Sequence, residues 1–453
     1  MKIYDEWFEK NRNTIFRDFF TYLRFPSIST DPAHKKDILA CKDWLANYMK
    51  DIGLHVEEWK TSGHPILFGE SLKGGETAPT LLFYGHYDVQ PTTPLEEWDT
   101  PPFEPEIRNN AIFARGALDN KGQGFYTLLA IRAFLEFAKE KKINIKVLVE
   151  GEEEIGSHGL QEIARKHSEK LKADHTFIVD LHMYAKGIPA VTLGVRGIVN
   201  VNVTLSNSDS DLHSGEFGGV ALNPARALMA TLGKMWDEKG RVTIPGFYDG
   251  VKTFSKEELA VFDWEKDIKK ESAPLNVKVF QGEEGYSLLE SNWIRPTLEI
   301  NGMEGGYTGE GFKTIIPKQA MVKLSCRLVP DQDPKKVLGT IVTFLKKNLP
   351  EGIELNLEEG HGTRGLMTSP NSSTVRGVVK AYEAVYGVKC RRQLCGGTIP
   401  IAPLLSEVCG GELVLIGVGL LTDHIHAPNE RIGLDRFKEG FLSISQILEV
   451  FSA

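Results

Sequence analysis

Short apolar runs alternate with amphipathic helical patterns at both ends of the chain, and this order constrains the fold more than any other feature. In chain order the patterns predict a helix over Asp37–Asp51, strands over His55–Trp59 and Thr80–Tyr84, a helix over Gly122–Lys139, strands over Ile143–Val149 and Thr176–Val179, a helix over Ser373–Tyr386, a strand over Leu413–Gly417 and a helix over Asp435–Phe451. Continuous apolar runs are typical of strands that are buried on both faces. The sequence therefore predicts an α/β fold in which helices cover both faces of a mostly parallel sheet.

The middle of the chain has a different pattern. Apolar residues alternate strictly with polar ones over Val199–Leu205 and Ala320–Cys326, which predicts strands with one buried and one wet face. Helical patterns over Asn223–Asp237 and Asp333–Leu349 would cover the buried face, and the charge-rich segment Ser255–Glu271 is expected to be a solvated surface helix. We therefore expect a smaller α+β domain at residues 196–366, inserted between residues 1–195 and 367–453 of the larger domain.

Composition excludes several classes of function. The 453 residues include 53 Lys and Arg against 61 Asp and Glu, without a long basic run, so a nucleic-acid partner is not expected. The longest apolar stretch, at residues 413–421, is shorter than the ~20 residues of a membrane span. The start of the chain is polar and acidic, unlike a signal peptide, so we expect a cytoplasmic protein without membrane association. The five cysteines are scattered and unpaired in spacing, which predicts reduced thiols.

Acidic and imidazole side chains follow the predicted strands. They are His86, Asp88, Glu150, Glu152, Glu153, Glu154, Asp180 and His426, with Asp119 just before the long helix. Because ligands bind outside the carboxyl ends of strands in open α/β sheets, these groups are expected to converge. Imidazole and carboxylate ligands without thiolates suit zinc or manganese. Each histidine alone could be an ordinary surface or core residue, and the glutamate run could be a solvated turn, but like charges after a buried strand are costly unless a cation offsets them.

Six motifs make the chain recognisable. They are GHYDVQP at 85–91, ARGALDNKG at 114–122, EGEEEIGS at 150–157, VD at 179–180, DLHSGEFGG at 211–219 and HAPNE at 426–430. In this order they resemble the co-catalytic dinuclear metallopeptidases of family 20, which include carnosinase-like dipeptidases, glutamate carboxypeptidase, acetylornithine deacetylase and succinyl-diaminopimelate desuccinylase. The chain length, the long insertion and the stretch IPGFYDGV at 244–251 look most like the carnosinase or cytosolic nonspecific dipeptidase branch.

The resemblance implies two divalent metal ions per subunit, zinc in the first place and manganese as the alternative. It implies that His86 and Asp180 hold one metal, that Glu154 and His426 hold the other, and that Asp119 bridges both. Asp88 matches the carboxylate that orients the metal-binding histidine. Glu153 matches the general base, which takes a proton from water and later delivers it to the leaving amine.

The resemblance also implies a set of substrate-binding residues, namely His213, Thr314, Arg327, Gly397 and Thr398. His213 matches a histidine that stabilises the oxyanion and that, in dimeric relatives, reaches into the neighbouring subunit's site. Arg327 matches the guanidinium that grips the terminal carboxylate of the substrate, a task that suits its bidentate fork. The inserted domain is accordingly expected to act as a lid and as the surface of a homodimer.

The activity implied is hydrolysis of the amide bond in dipeptides or small peptides. An N-acyl-amino-acid deacylase, a desuccinylase or a carboxypeptidase would use the same residues and stays open. Dipeptidase relatives commonly have an acidic residue before Gly-Gly-Ser where this chain has Cys395 before Gly396, Gly397 and Thr398, which leaves the fine specificity undecided. A non-catalytic relative would have lost a metal ligand or the base, but all five ligands and Glu153 are present. A nucleotide-binding fold would need a GxGxxG after an early strand, and this chain has none there. The HAPNE match selects His426 rather than His424 as the ligand.

Overall fold

The computed structural model describes residues 1–137, 140 and 142–452; residues 138 and 139, at the end of the helix predicted over Gly122–Lys139, lie outside the described residues. The helices are, in chain order, α1 Lys2–Leu23, α2 Lys35–Asp51, α3 Lys121–Phe137, α4 His158–Ile163, α5 Ser168–Leu171, α6 Ser214–Phe217, α7 Pro224–Leu232, α8 Lys256–Leu259, α9 Ile268–Glu271, α10 Leu288–Trp293, α11 Pro334–Asn348, α12 Ser373–Tyr386, α13 Ala402–Cys409 and α14 Leu434–Phe451. The strands are β1 His55–Trp59, β2 Ile66–Ser71, β3 Thr80–His86, β4 Glu106–Arg108, β5 Ala111–Phe113, β6 Asn144–Glu150, β7 His175–Val179, β8 Ala190–Val195, β9 Gly197–Ser206, β10 Leu212–His213, β11 Thr297–Gly305, β12 Ile315–Ile316, β13 Gln319–Leu328, β14 Glu354–Thr363, β15 Leu366–Met367, β16 Arg391–Cys395, β17 Glu412–Ile416 and β18 Arg431–Gly433.

The largest sheet has the strand order β1-β2-β6-β3-β7-β17-β8-β15, and β16 pairs with β8. Its central strands β6, β3, β7 and β17 run parallel to one another, whereas β1, β2 and β15 pair antiparallel near the edges. β3 and β6 are buried along nearly their whole length, as expected for strands that are covered on both faces. The predicted α/β fold is confirmed, and its parallel pairing is concentrated in the centre of the sheet.

Helices pack on both faces of this sheet because neighbouring strand residues point in opposite directions. Phe83 of β3 points into a core formed by α1, α2, α3, α12 and α14, where the ring of Phe19 packs on those of Phe125 and Phe437. Leu82 points into the opposite core, which α4, α5 and α13 cover. Among the described helices, none combines the length and the apolarity that a membrane span requires.

A second sheet, with the order β11-β13-β9-β14, is antiparallel throughout. β9 and β13 contain the alternating segments of the sequence, and their buried residues pack under α7 and α11. The chain passes from the large sheet to this one between β8 and β9, and it returns between β14 and β15. The division of the chain into domains at residues 196 and 366 stays a prediction.

Two sequence-based expectations in the middle of the chain were wrong in extent. The helix predicted over Asn223–Asp237 is α7, which stops before Gly233, a residue type with low helix propensity. The segment Ser255–Glu271 forms two short helices, α8 and α9, rather than one surface helix. This charged segment also contains two aromatic residues that pack inward. Phe262 is buried, and Trp264 is partly buried against the core of the large sheet. These aromatic rings pack the segment against the large sheet and not against the second sheet.

Close packing between α3 and α14 generates a stability prediction. A Cβ atom added at Gly440 would lie 2.6 Å from Tyr126 Cε1, so we expect Gly440→Ala to destabilise the protein by ~1–3 kcal/mol through overpacking. In the matched variant Gly339→Ala, on α11, nothing lies within 4 Å of the added Cβ. This variant should be neutral or up to ~1 kcal/mol more stable, because alanine is the better helix former. Thermal unfolding of both variants checks the prediction, and equal midpoints would contradict it.

Candidate metal centre and substrate-binding residues

The predicted ligands are brought together at one edge of the large sheet. His86 is the last residue of β3, Asp180 directly follows β7, Glu154 lies just beyond β6, and His426 lies in the segment between β17 and β18. Because β3, β6, β7 and β17 are parallel neighbours, their carboxyl ends meet at this edge. Asp119 reaches the same place from the segment that precedes α3.

Asp119 lies between the two histidines. His86 Nε2 is 3.2 Å from Asp119 Oδ1 and 3.7 Å from Asp180 Oδ2. His426 Nε2 is 2.9 Å from Asp119 Oδ2 and 3.2 Å from Glu154 Oε2. Each oxygen of Asp119 therefore faces a different histidine and a different second carboxylate. The five residues form two groups of potential ligand atoms, each spanning no more than 4.8 Å, that share Asp119.

The chemistry of these donors fits divalent metals. Two imidazoles and three carboxylates, with no thiolate, suit borderline and hard cations such as Zn²⁺ and Mn²⁺. Burial, followed by the charge of Asp119, raises the pKa of Asp180 to about 6 and that of Glu154 to about 7. Glu154 Oε1 is buried and has no hydrogen-bond partner among the described residues. Concentrating buried carboxylates in this way is costly unless a cation compensates their charge.

Asp88 connects the His86 ring to the glutamate segment. His86 Nδ1 lies 3.3 Å from Asp88 Oδ1, and the two Asp88 oxygens accept hydrogen bonds from the backbone N–H groups of Glu153 and Glu154, at 3.2 and 3.1 Å. The Glu153 side chain is half-buried, and burial raises its pKa well above the usual range. A carboxylate with a raised pKa beside the ligand set is suited to accept and return a proton.

Glu430 holds the segment that carries Asp119, a role that the sequence did not indicate. Its Oε1 accepts hydrogen bonds from the backbone N–H groups of Leu118 and Asp119, both at 3.0 Å. Its Oε2 accepts from Arg115 Nη1 at 2.8 Å and from the Gly116 N–H at 2.9 Å. Glu430 and Arg115 both lie within the recognised motifs, which could have identified them as candidate site residues. Their contact could not be predicted from the sequence, because the two residues are more than three hundred positions apart.

Asn120 is the second supporting residue that sequence analysis missed. Its Oδ1 accepts a hydrogen bond from the His86 N–H at 3.2 Å, and its Nδ2 donates to Val179 O at 2.8 Å and to Asp180 Oδ1 at 2.6 Å. One amide thus joins the ends of β3 and β7. It also fixes the Asp180 carboxylate with Oδ2 directed toward His86.

The predicted substrate-binding residues fall into two further groups. Arg327 on β13 donates from Nη1 to Thr398 Oγ1 at 2.7 Å, and Thr398 and Gly397 belong to the turn after β16. His213 lies exposed on β10, which pairs with β12, and the Ser214 N–H donates to Thr314 O at 3.0 Å. Among the described residues, no contact joins His213 to the two ligand groups. The side chain accepts from the Gly215 N–H instead.

Comparisons with known proteins identify a family of peptidases. The profile of Peptidase family M20/M25/M40 matches residues 82–450. The chain is 29% identical over 458 residues to the Cys-Gly metallodipeptidase dug1 of Schizosaccharomyces pombe, covering 97% of this chain and 95% of that protein. It is 31% identical over 396 residues to the Beta-Ala-His dipeptidase of Homo sapiens, covering 84% of this chain and 78% of that protein.

A solved structure extends the agreement to three dimensions. The M20 family metallo-carboxypeptidase Sso-CP2 from Sulfolobus solfataricus superimposes with a TM-score of 0.88 at 33% identity, covering 97% of this chain and 99% of that one. The sequence match over most of the chain and the similarity of fold lead to the same assignment. The chain belongs to the peptidase family M20/M25/M40.

Proposed function

We propose that this protein is a metal-dependent dipeptidase that hydrolyses the amide bond of dipeptides or small peptides with a free carboxyl end. The observation that carries the proposal is the pair of ligand groups that share Asp119, with Glu153 beside them. The similarity to proteins named as metallodipeptidases supports the choice of substrate class. A deacylase or carboxypeptidase activity at the same residues is the alternative that the substrate experiment below separates from it.

The proposed centre takes two divalent ions, with Zn²⁺ favoured and Mn²⁺ as the alternative. His86 and Asp180 would hold the first ion, Glu154 and His426 the second, and Asp119 both, since its two oxygens face the two groups separately. Asp88 would fix the ring of His86 so that Nε2 stays directed into the centre. When bound, such ions polarise the scissile carbonyl and make water more acidic.

Glu153 is the proposed proton carrier. Its neighbour Glu154 contacts His426 and is the proposed metal ligand. The adjacent Glu153 carboxylate would therefore remain available to accept a proton from the attacking water and to pass it to the leaving amine. The backbone N–H of Glu153 is fixed by Asp88 at 3.2 Å. The same aspartate therefore positions a ligand and the segment that carries the base.

The remaining proposed roles concern the substrate. Arg327 would bind the terminal carboxylate with the hydroxyl of Thr398 beside it, and His213 would stabilise the oxyanion with Thr314 nearby. Because His213 is exposed and away from the ligand groups within one chain, we place it in the site of a second subunit of a homodimer. The homodimer and the cytoplasmic location stay predictions.

A substrate panel tests the activity. We expect metal-dependent hydrolysis of free dipeptides by chelator-stripped protein after Zn²⁺ or Mn²⁺ is added back. Hydrolysis should be slight for N-blocked dipeptides, which a carboxypeptidase would cleave, and for N-acetyl or N-succinyl amino acids. Glu153→Gln should lower kcat by ~10²-fold or more with the metal content unchanged, since it removes the proton carrier, whereas the exposed Glu6→Gln on α1 should not. Preference for acylated amino acids would move the assignment to a deacylase, and an active Glu153→Gln enzyme would remove the proposed base.

Two neighbouring histidines provide a matched test of the metal ligands. His426 and His424 both have positive φ values, 61° and 59°, a conformation that asparagine tolerates. His426→Asn should lower the bound metal measured by elemental analysis, because an imidazole ligand is lost from one of the two groups. His424→Asn should keep the full metal content, because its ring contacts the Pro428 carbonyl oxygen instead. Equal metal content in both variants would contradict the ligand assignment.

Removal of metal should make stability depend on pH. The pKa values of Asp180 and Glu154 are raised to about 6 and about 7, so these groups bind more protons when folded than when unfolded. The pKa of His426 is raised to about 10, mainly by its hydrogen bond with Asp119. This group therefore also binds more protons when folded than when unfolded. The free energy of unfolding of stripped protein should therefore fall as the pH rises from about 4 through about 7 and beyond.

Added Zn²⁺ should in turn raise the thermal midpoint more at about pH 8 than at about pH 5, since the metal competes with protons for the same ligands. At a concentration of 100 times the dissociation constant, the gain is about 3 kcal/mol. Differential scanning calorimetry with and without chelator at the two pH values makes the measurement. A metal-induced shift that is larger at the lower pH would oppose the assignment.

A further inference from the structure

We propose that Arg196 is a positioning residue for substrate recognition: it holds the turn Gly396–Thr398, and through this turn it sets how Arg327 and Thr398 bind the substrate's carboxylate. The inference rests on the proposed function, because it assumes that a carboxylate binds at Arg327. Neither the motifs nor the ligand groups include Arg196.

The position of Arg196 joins three parts of the fold. It is the single residue between β8 of the large sheet and β9 of the second sheet. β16 runs parallel to β8 with Cys395 opposite Val195, so Arg196 lies beside the turn that follows β16. On β13, Arg327 pairs with Ile198, two residues beyond Arg196. Arg196 is therefore placed where the two sheets and the substrate turn meet.

Three hydrogen bonds from Arg196 fix this junction. Its backbone N–H donates to Gly397 O at 2.9 Å, and its Nε donates to Gly396 O at 2.8 Å. Its Nη1 donates to Arg295 O at 3.2 Å, two residues before β11 begins. The planar guanidinium thus bridges a carbonyl of the turn to a carbonyl at the start of the second sheet. A lysine could not reproduce this fork, because it offers a single nitrogen.

Other contacts also constrain the turn Gly396–Thr398. A displacement of Gly396 would therefore also move Thr398. A Cβ atom at Gly396 would lie 2.4 Å from Asn292 Oδ1, which shows how closely α10 approaches the turn. The Gly397 N–H donates to Cys395 Sγ at 3.3 Å. Thr398 then accepts the hydrogen bond from Arg327. Releasing the Gly396 carbonyl would free the segment that presents the Thr398 hydroxyl and orients the Arg327 guanidinium.

Among the described residues no carboxylate forms a hydrogen bond with the Arg196 guanidinium, although the charge of Glu299 acts on it from further away. Only 6% of the residue is exposed, and among the described residues the hydrogen-bond partners of both guanidiniums are carbonyl oxygens and one hydroxyl, never a carboxylate. Burial, followed by the charge of Arg327, lowers the pKa of Arg196 to about 10. The buried Arg196 and the half-buried Arg327 repel each other, and an anion at Arg327 relieves that repulsion. The arrangement favours a substrate that brings a carboxylate to this place.

The experiment compares Arg196→Lys and Arg196→Met with the wild type on a dipeptide and on its C-terminal amide, with metal bound. Arg196→Lys keeps the charge and loses the fork, whereas Arg196→Met loses both. Arg17→Lys, at an exposed side chain of α1, is the matched control for the same chemical change away from the site. Arg327→Met and the double variant with Arg196→Met complete a double-mutant cycle.

We expect both Arg196 variants to raise KM for the dipeptide about tenfold or more, with kcat changed far less, and to lower the preference for the free acid over the amide by a similar factor. The effects of Arg196→Met and Arg327→Met should be non-additive, since both act on one carboxylate. An equal loss on acid and amide, additive effects in the cycle, or wild-type KM in Arg196→Lys would each overturn the proposal.

Amide hydrogen exchange of the metal-free protein separates failure of this inference from failure of the proposed function. A wild-type enzyme that hydrolyses neither the dipeptide nor the amide would refute the proposed function alone. Exchange in the segment 391–400 should still become faster in both Arg196 variants and not in Arg17→Lys, because the turn loses its anchor. Unchanged exchange in that segment would show that Arg196 does not hold the turn and would overturn the inference.

Discussion

The structure depends most on how it accommodates several carboxylates at the buried edge of one sheet. Asp119 is the central one, because its two oxygens face His86 and His426 separately. Glu430 accepts three hydrogen bonds from the backbone N–H groups of Gly116, Leu118 and Asp119, and a fourth from Arg115, whose charge offsets that of Glu430. Asn120 Nδ2 in turn donates to Asp180 Oδ1, and the backbone N–H groups of Glu153 and Glu154 donate to Asp88. That fixed geometry is what would allow the edge to hold the proposed metal ions.

Much of the fold and of this centre was predictable because strand ends are local features of a sequence. The apolar run that ends at Gly85 placed His86 and Asp88, and the run that ends at Val149 placed Glu153 and Glu154. Parallel pairing of the strands then brings these residues to one edge without further information. The motif resemblance added what periodicity could not, namely which of the acids and histidines act together.

The features that could not be predicted depend on contacts between distant segments. Asn120 joins His86 and Asp180, and nothing in its own neighbourhood of the sequence indicates either partner. The segment Ser255–Glu271 looked like a solvated helix by its charge, but Phe262 is buried against the core of the large sheet. A charge count weighs every residue equally, whereas the free energy of packing is dominated by the few large apolar side chains.

The two ends of the proposed site have opposite charge, and this polarity follows from the fold. The edge of the large sheet supplies carboxylates from strand ends, while the junction between the sheets supplies Arg196 and Arg327, whose hydrogen-bond partners among the described residues are neutral. In the proposed function, Arg327 would bind the carboxylate of a dipeptide, and the metal ligands would face its amide carbonyl. Cys395, beside the junction, is neutral at ordinary pH because burial raises the pKa of its thiol. The turn itself therefore offers no carboxylate for the ammonium end of a substrate.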